Sequence, residues 1–149
     1  MDIKKLQLGQ LSEALRGVHI PPRPPVGWIQ SIRKTVGMTT RQLAERMGVA
    51  QSTVVAMEQS EKGGTITLDS LHRAAEALDC ELRYVLVPRQ ELQTKVEQQA
   101  TIVAKRNIAK VAHTMSLENQ EPSDKFKNSL LNEEKERIMR GRWGKLWDR

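Results

Sequence analysis

The most informative polar side chains lie in residues 39–58, TTRQLAERMGVAQSTVVAME. The amide of Gln51 donates and accepts hydrogen bonds together, which matches the N6 and N7 atoms of adenine in the DNA major groove. The hydroxyl of Ser52 suits a base or a phosphate, and the methyl groups of Val55 suit a thymine methyl. We therefore predict a surface that reads base edges, with Gln51 as its main contact. Its other members are Thr53 and Ala56.

A second polar group precedes this surface in the sequence. Thr39, Thr40 and Arg41 lie where the first helix of the segment is predicted to begin. Unpaired N–H groups and the positive end of the helix dipole at such a position attract anions. We expect these three residues to contact a DNA phosphate, which positions a protein on the duplex without reading its sequence.

Two short helices must hold these side chains. Gly48 lies between the helices, where glycine adopts a left-handed backbone at least cost, and Val49 would fill the angle that follows. Ala44 is small at the point where the helices would cross. Apolar residues recur at the spacing of two inner helix faces, namely Leu43, Ala44 and Met47 on the first and Val54 and Met57 on the second. This order predicts a helix-turn-helix rather than two unrelated amphipathic helices.

With this order the segment resembles the Xre family of Cro-type phage repressors, whose second helix enters the major groove. The resemblance implies a domain of four to five helices over residues 26–80 in a mainly α-helical chain. It also implies a buried pair between Arg33 and Glu58, which ties the preceding helix to the recognition helix. The segment TLDSLHRAAEAL resembles the fourth helix of the family, with core positions at Leu68, Leu71, Ala75 and Leu78.

Two features depart from the pattern of this family. Ala50 stands where a Ser or Thr usually caps the recognition helix. Residues 59–67 are predicted to form a loop that is longer than usual, with Ser60 where the family often has Gly. Neither departure changes the expected fold, but both affect the phosphate contacts expected near the recognition helix.

Residues 81–87, ELRYVLV, have the composition of a β-strand, and Pro88 ends it. The sequence contains no second strand, so pairing with the same strand of another copy would satisfy its backbone groups. The segment resembles the strand that antitoxins of the helix-turn-helix class carry at this place. We therefore assign residues 81–88 to homodimer formation, the alternative being a short edge strand or an extended tail. The predicted contacts are Leu82, Tyr84, Val85, Leu86 and Val87.

Residues 89–149 are predicted to form two charged helices that a DNA-binding domain does not need. Thr114, Glu118 and Asn119 match the pattern Ser/Thr-x-x-x-Glu-Gly/Asn that inhibits Fic-domain adenylyltransferases. Residues four apart share one face of a helix, so Thr114 and Glu118 would point together at a partner. The segment SLENQEPSDKF and the later MRGRW resemble small antitoxins of Fic toxins.

An Xre domain followed by such a helix resembles the family called mobile mystery protein A, whose companion is a Fic-domain protein. The resemblance implies an antitoxin that represses its own promoter and inhibits a Fic AMP-transferase toxin. Glu118 would pair with an arginine that binds ATP phosphates and would keep the γ-phosphate from its productive position. Two alternatives remain: a plain repressor whose C-terminal helices only dimerise or bind another regulator, and a simple helix end with Asn119 in left-handed geometry.

Composition narrows the function classes further. The chain has 149 residues, is 38% hydrophobic and carries a net charge of +6, which fits a modest domain with helical extensions and a polyanionic partner. One cysteine and three scattered histidines show no metal-binding or catalytic spacing, so we expect no metal, no cofactor and no enzyme activity. No signal peptide or long apolar run is found, and we expect a cytoplasmic protein without membrane contact.

The N-terminal residues complete the predicted organisation. Residues 1–25 contain a partly helical apolar stripe and then the run PPRPP, which cannot be helical. We interpret this run as a stiff spacer rather than as a recognition ligand. The predicted order is an N-terminal helix and spacer (1–25), the DNA-binding domain (26–80), the dimerisation strand (81–88) and the partner-binding helices (89–149).

Overall fold

The computed structural model describes residues 2–117 and 123–149, which are mainly helical, as the sequence predicts. No β-strand lies within those ranges, and residues 81–88 have no regular secondary structure. Strand pairing with a second copy needs a second chain, so it stays a prediction. In chain order the elements are α1 (Ile3–Leu15), α2 (Trp28–Thr35), α3 (Thr40–Met47), α4 (Gln51–Gly63), α5 (Leu68–Ala77), α6 (Leu92–Leu117), α7 (Asp124–Arg140) and a 3₁₀ helix (Trp143–Trp147).

The chain forms two compact units. The helix-turn-helix unit comprises His19–Leu86, and the terminal unit combines Met1–Val18 with Val87–Arg149. Residues 1–25 were predicted as one segment, whereas in the structure α1 and the proline run belong to different units. Because α1 packs on α6 and the proline run packs beside α2 and α4, the division falls after Val18.

Local signals define the helices of the helix-turn-helix unit. Thr39 caps α3 through a reciprocal pair of bonds, in which its Oγ1 accepts from the N–H of Gln42 at 3.1 Å and its N–H donates to Gln42 Oε1 at 2.8 Å. Gly48 ends α3 with a φ of 67°, the left-handed conformation predicted from the sequence. Thr67 caps α5 by accepting from the N–H of Ser70 at 3.1 Å.

A small apolar core joins these helices. The predicted core positions of α3 and α4 lie in it, but two positions of α5 differ from the prediction. Leu68 is 50% exposed, because it is the first residue of α5 and the packed residues of that helix begin at Leu71. Ala74 rather than Ala75 is fully buried. The buried members are Ile29, Leu43, Ala44, Val54 and Ala74, with Met47, Val49, Met57, Leu71 and Leu78 packed against them.

The recognition helix α4 is longer than predicted. The predicted loop over residues 59–67 is helical as far as Gly63, and Gly64 ends the helix with a φ of 77°. Nothing in the sequence breaks the helix before these two glycines, and the hydroxyl of Ser60 donates to the carbonyl of Met57 at 3.0 Å. The added turn brings Glu61 into the interior, where it is 2% exposed.

An ion pair crosses the interior of the same unit. Arg33 Nε donates to Glu58 Oε1 at 2.6 Å and Arg33 Nη2 donates to Glu58 Oε2 at 3.0 Å, and both side chains are 8% exposed. A third bond, from Arg33 Nη1 to the carbonyl of Met38 at 2.8 Å, holds the connection to α3. One guanidinium therefore joins α2, α4 and the start of the helix-turn-helix.

The terminal unit is a helical hairpin of α6 and α7 with α1 and the 3₁₀ helix packed on it. Ala100 and Ala104 of α6 are fully buried, and their small side chains let neighbouring elements approach closely. Leu146 of the 3₁₀ helix packs against them, and Gln99 Nε2 donates to the Leu146 carbonyl at 2.7 Å. This link fixes the C-terminal residues on α6.

A carboxylate ties the two hairpin helices together. Glu134 of α7 accepts from Arg137 Nη2 at 2.6 Å and from Asn107 Nδ2 of α6 at 2.8 Å. The hydrogen bond from Arg137, followed by that from Asn107, lowers the pKa of Glu134 from 4.5 to about 2.

We predict that Glu134→Gln lowers the free energy of unfolding of the terminal unit by about 1 kcal/mol at pH 7. Because the folded-state pKa lies below the ordinary value, this stabilisation is complete above that value and is lost as the pH falls towards 2. Urea titrations followed by tryptophan fluorescence measure it, since Trp143 and Trp147 both lie in this unit. Glu136→Gln, which removes an exposed carboxylate paired with Arg140, is the control, and equal losses in both variants would contradict the prediction.

We predict a larger loss for Glu58→Ala, about 3–5 kcal/mol, because it leaves the Arg33 guanidinium buried without its counter-charge. Thermal melts followed by circular dichroism measure this change. The matched control is Glu45→Ala, which removes an exposed partner of Arg41 and costs about 0–1 kcal/mol. A Glu58→Ala melt close to that of the wild type would show that the pair contributes little.

Candidate nucleic-acid interface

The first two turns of α4 present an uncharged surface to solvent. Residues 51–57 include no charged side chain, so no carboxylate would oppose the phosphates of DNA. Val54 points inward, whereas Val55 is 44% exposed and offers its methyl groups outward. The structure therefore places the predicted base-contact residues together on the exposed side: Gln51, Ser52, Thr53, Val55 and Ala56.

Gln51 is held by the preceding helix. Its Nε2 donates to Thr40 Oγ1 at 2.8 Å, which joins the first residue of α4 to the first residue of α3. The amide nitrogen carries a second hydrogen and the side chain has a carbonyl oxygen, and these are the two groups that adenine requires. The contact with Thr40 thus orients Gln51 before any DNA arrives, which reduces the entropy lost on binding.

The start of α3 brings together the predicted phosphate contacts. Thr39 is exposed, and its hydroxyl oxygen already accepts from α3, which leaves the hydroxyl hydrogen to donate outward. The guanidinium of Arg41 donates to Glu45 at 3.1 Å in an exposed pair. Such pairs are weak, so a phosphate would replace Glu45 at small cost. Thr40 is half-buried, and its hydroxyl oxygen accepts from Gln51 Nε2.

The sequence analysis missed Glu61. Its carboxylate accepts from the N–H of Trp28 at 2.6 Å and from the N–H of Ile29 at 3.0 Å, so it caps α2 from the far end of α4. The sequence does contain a sign of this contact. Gly27 precedes α2 and has no side chain that could cap the helix. A helix start without a local cap needs an acceptor from elsewhere in the fold.

The predicted dimer contacts are unequally exposed. Leu82 and Val85 are half-buried, Tyr84 is 73% exposed, Leu86 is 88% exposed, and Val87 is exposed as well. Within the helix-turn-helix unit, a cavity of about 380 Å³ opens beside this segment. Its walls come from α2, α5 and residues 80–83, and the apolar lining includes Trp28, Ile32, Leu71, Leu78 and Leu82.

The predicted inhibitory residues fall partly outside the described residues. Thr114 lies near the end of α6, is exposed, and donates its hydroxyl hydrogen to the carbonyl of Lys110 at 3.1 Å. Its exposed oxygen can still accept a hydrogen bond. Glu118 and Asn119 lie outside the described ranges.

Residues 2–117 and 123–149 show neither a membrane-spanning helix nor a cluster of metal ligands. The helices there lack the combination of length and apolar character needed to cross a membrane. The same residues contain no group of three or more His, Cys, Asp or Glu side chains arranged to hold a metal ion.

Comparison with known proteins gives one match. Residues 29–85 match a family model described as helix-turn-helix, which covers α2 to α5 and most of the extended segment after α5. No curated protein and no solved structure matches the chain. The match agrees with the left-handed turn at Gly48, the buried pair of Arg33 and Glu58 and the exposed face of α4. Residues 29–85 are thus an Xre-type helix-turn-helix domain, the domain of DNA-binding transcription regulators.

Proposed function

We propose that the chain is the antitoxin of a toxin–antitoxin pair, a homodimeric repressor of its own promoter that also inhibits a Fic-domain AMP-transferase. Binding is its role in this proposal, and catalysis belongs to the Fic partner. The observation that carries the DNA-binding half is the face of α4, which is exposed, uncharged and oriented through Gln51. The inhibitory half rests on Thr114, Glu118 and Asn119, which lie outside the helix-turn-helix domain.

DNA recognition begins with the phosphates. Arg41, Thr39 and the first N–H groups of α3 meet the backbone and fix the position of the protein on the duplex. The N-terminal end of α4 then enters the major groove, where Gln51 pairs with an adenine and Val55 contacts a thymine methyl. A single helix-turn-helix reads only a few base pairs, so a specific repressor needs two copies on a palindromic site.

The proposed dimer uses residues 81–87. Tyr84 and Leu86 expose large apolar surfaces, and Leu82 of the same segment lines the cavity of the helix-turn-helix unit. A two-fold axis brings the same surface of a second copy onto them and supplies a partner for the backbone groups of the extended segment. Burying these side chains is the favourable term of such an interface.

We predict that the wild type binds a palindromic site near its own gene as two chains per site. Gln51→Ala should weaken operator binding by about 1–3 kcal/mol and relax the base preference at one position per half-site. Gel shifts on single-substitution operators measure the preference, and light scattering of the complex measures the stoichiometry. The control is Gln59→Ala, an exposed glutamine two turns further along α4, which should bind as the wild type does. Unchanged affinity in Gln51→Ala, or one chain per operator, contradicts the assignment.

The proposed inhibition is electrostatic. A Fic enzyme holds the phosphates of ATP with arginines, and Glu118 competes with the γ-phosphate for one of them. The hydroxyl hydrogen of Thr114 is donated to the carbonyl of Lys110. The hydroxyl oxygen therefore accepts a hydrogen bond from a toxin group near that arginine. The apolar side chains of Met115 and Leu117 on the same turn provide docking surface.

A plain repressor is the second candidate function. The terminal unit has a core of its own, formed by buried and half-buried residues of α6, α7 and the 3₁₀ helix. A unit with its own core also suits dimerisation or the binding of another regulator. The gene beside the one encoding this chain separates the two candidates, because the antitoxin proposal requires a Fic motif there.

We predict that Glu118→Gly releases the toxin while the complex stays assembled. Removing the carboxylate from a charge-assisted pair costs about 1.5–3 kcal/mol, which shifts the competition with ATP by one to two powers of ten. Co-expression with the neighbouring gene product, with growth and transfer of labelled AMP as readouts, measures the release.

Gln51→Ala is the reciprocal control for this experiment. It should protect cells fully although its operator binding is weakened, whereas Glu118→Gly should bind the operator normally and fail to protect. Equal protection by the wild type and Glu118→Gly would refute the inhibitory role and leave the plain repressor.

A further inference from the structure

The recognition helix is attached to α2 at two points. Glu58 and Glu61 are three residues apart on α4 and therefore share one face of that helix. Glu58 holds the side chain of Arg33 near the end of α2, and Glu61 holds the N–H groups of Trp28 and Ile29 at its start. One attachment fixes a distance between two helices, whereas two attachments along both helices also fix their angle.

Arg23 adds a third attachment at the C-terminal end of α4. Its Nη1 donates to the carbonyl of Glu61, and its Nη2 donates to the carbonyl of Lys62 at 3.4 Å. These carbonyls belong to the last turn of α4, where a cation is favoured by the negative end of the helix dipole. Prolines flank Arg23 on both sides and restrict the backbone from which its side chain extends to α4.

The backbone at Gly27 is adapted to the same carboxylate. Gly27 has a φ of 88°, which disfavours any side chain, and a Cβ atom built there would lie 2.7 Å from the carboxylate of Glu61. The close approach of the chain to Glu61 therefore requires glycine. Glu61, Gly27 and Arg23 form one set of contacts, which we term the α4 clamp.

We propose that Glu61 and Arg23 are positioning residues for base readout. They set the angle of α4 and therefore the place of Gln51 in the major groove. This inference rests on the proposed DNA-binding function. The distance from Glu61 to Gln51 along the helix is about 15 Å. A tilt of about 10° at the clamp displaces Gln51 by roughly 2.5 Å, which is enough to break a hydrogen bond of ordinary length. The proposed phosphate contacts at Thr39 and Arg41 belong to α3 and its cap, so a tilt of α4 displaces them less than it displaces Gln51.

The experiment compares specific with non-specific binding in the full-length chain. The operator is the palindromic duplex that the wild type selects from random-sequence DNA, and the competitor is a shuffled duplex of equal length. The decisive variant is Glu61→Gln, which keeps the side-chain length but replaces one acceptor oxygen by an NH₂ group. The matched control is Glu76→Gln, an exposed glutamate of α5 paired with His72.

We expect the ratio of operator affinity to non-specific affinity to fall roughly tenfold in Glu61→Gln and to stay unchanged in Glu76→Gln. Both are measured at a temperature where circular dichroism shows that each variant is folded. A purely structural role reduces the active fraction, which lowers both affinities together and leaves their ratio at the wild-type value. That result overturns the inference.

Arg23→Ala removes the third attachment and leaves the carboxylate in place, so it decides the matter if Glu61→Gln does not fold. We expect a smaller fall of the same ratio, and a wild-type ratio in a folded Arg23→Ala variant would refute the positioning role. A wild-type chain that shows no preference for any duplex would instead refute the proposed DNA-binding function.

Discussion

The buried pair of Arg33 and Glu58 is the interaction on which the helix-turn-helix unit depends. Removing two charges from water is costly, and the cost is offset only when the geometry is good and the remaining hydrogen-bonding groups are satisfied. Here two parallel bonds join the groups, and the carbonyl of Met38 takes a further N–H of the guanidinium. Two apolar side chains at these positions would also stabilise the contact between α2 and α4, but they would fix the orientation of the two helices less strictly. The ion pair therefore specifies which faces of α2 and α4 meet, while the small apolar core supplies the attraction.

Much of this unit could be predicted because its signals are local. A Thr with a Gln three residues later marks the start of α3, Gly48 marks its end, and the spacing of Leu43, Val54 and Met57 marks the inner faces. The base-contact surface follows from the same periodicity, since residues that are not inward must face solvent. The exposure of Gln51 and Val55 thus needed no structure to anticipate it.

Other features depend on contacts between residues distant in sequence, and the sequence did not reveal them. Glu61 was assigned to a loop because the family resemblance places one over residues 59–67, yet α4 continues to Gly63 and Glu61 is buried against α2. The pairing of α1 with α6 joins segments from either side of the helix-turn-helix unit, and no local pattern encodes it. Leu68 fits the apolar spacing of α5, but the first residue of a helix lies beyond the surface that its neighbours cover.

The discontinuous terminal unit has a consequence for synthesis on the ribosome. Translation proceeds from the N-terminus, so α1 is made before the helix-turn-helix unit, whereas α6 and α7 of its own unit are made after it. The helix-turn-helix unit is a continuous segment that ends at Leu86. It can therefore form all of its internal contacts while later residues are still in the exit tunnel or not yet synthesised. A nascent chain stalled between these points would carry a folded recognition helix and an α1 without its packing partners. The connectivity therefore sets the order of assembly: the helix-turn-helix unit can fold first, and the unit that contains Thr114 forms only after α6 and α7 have been made.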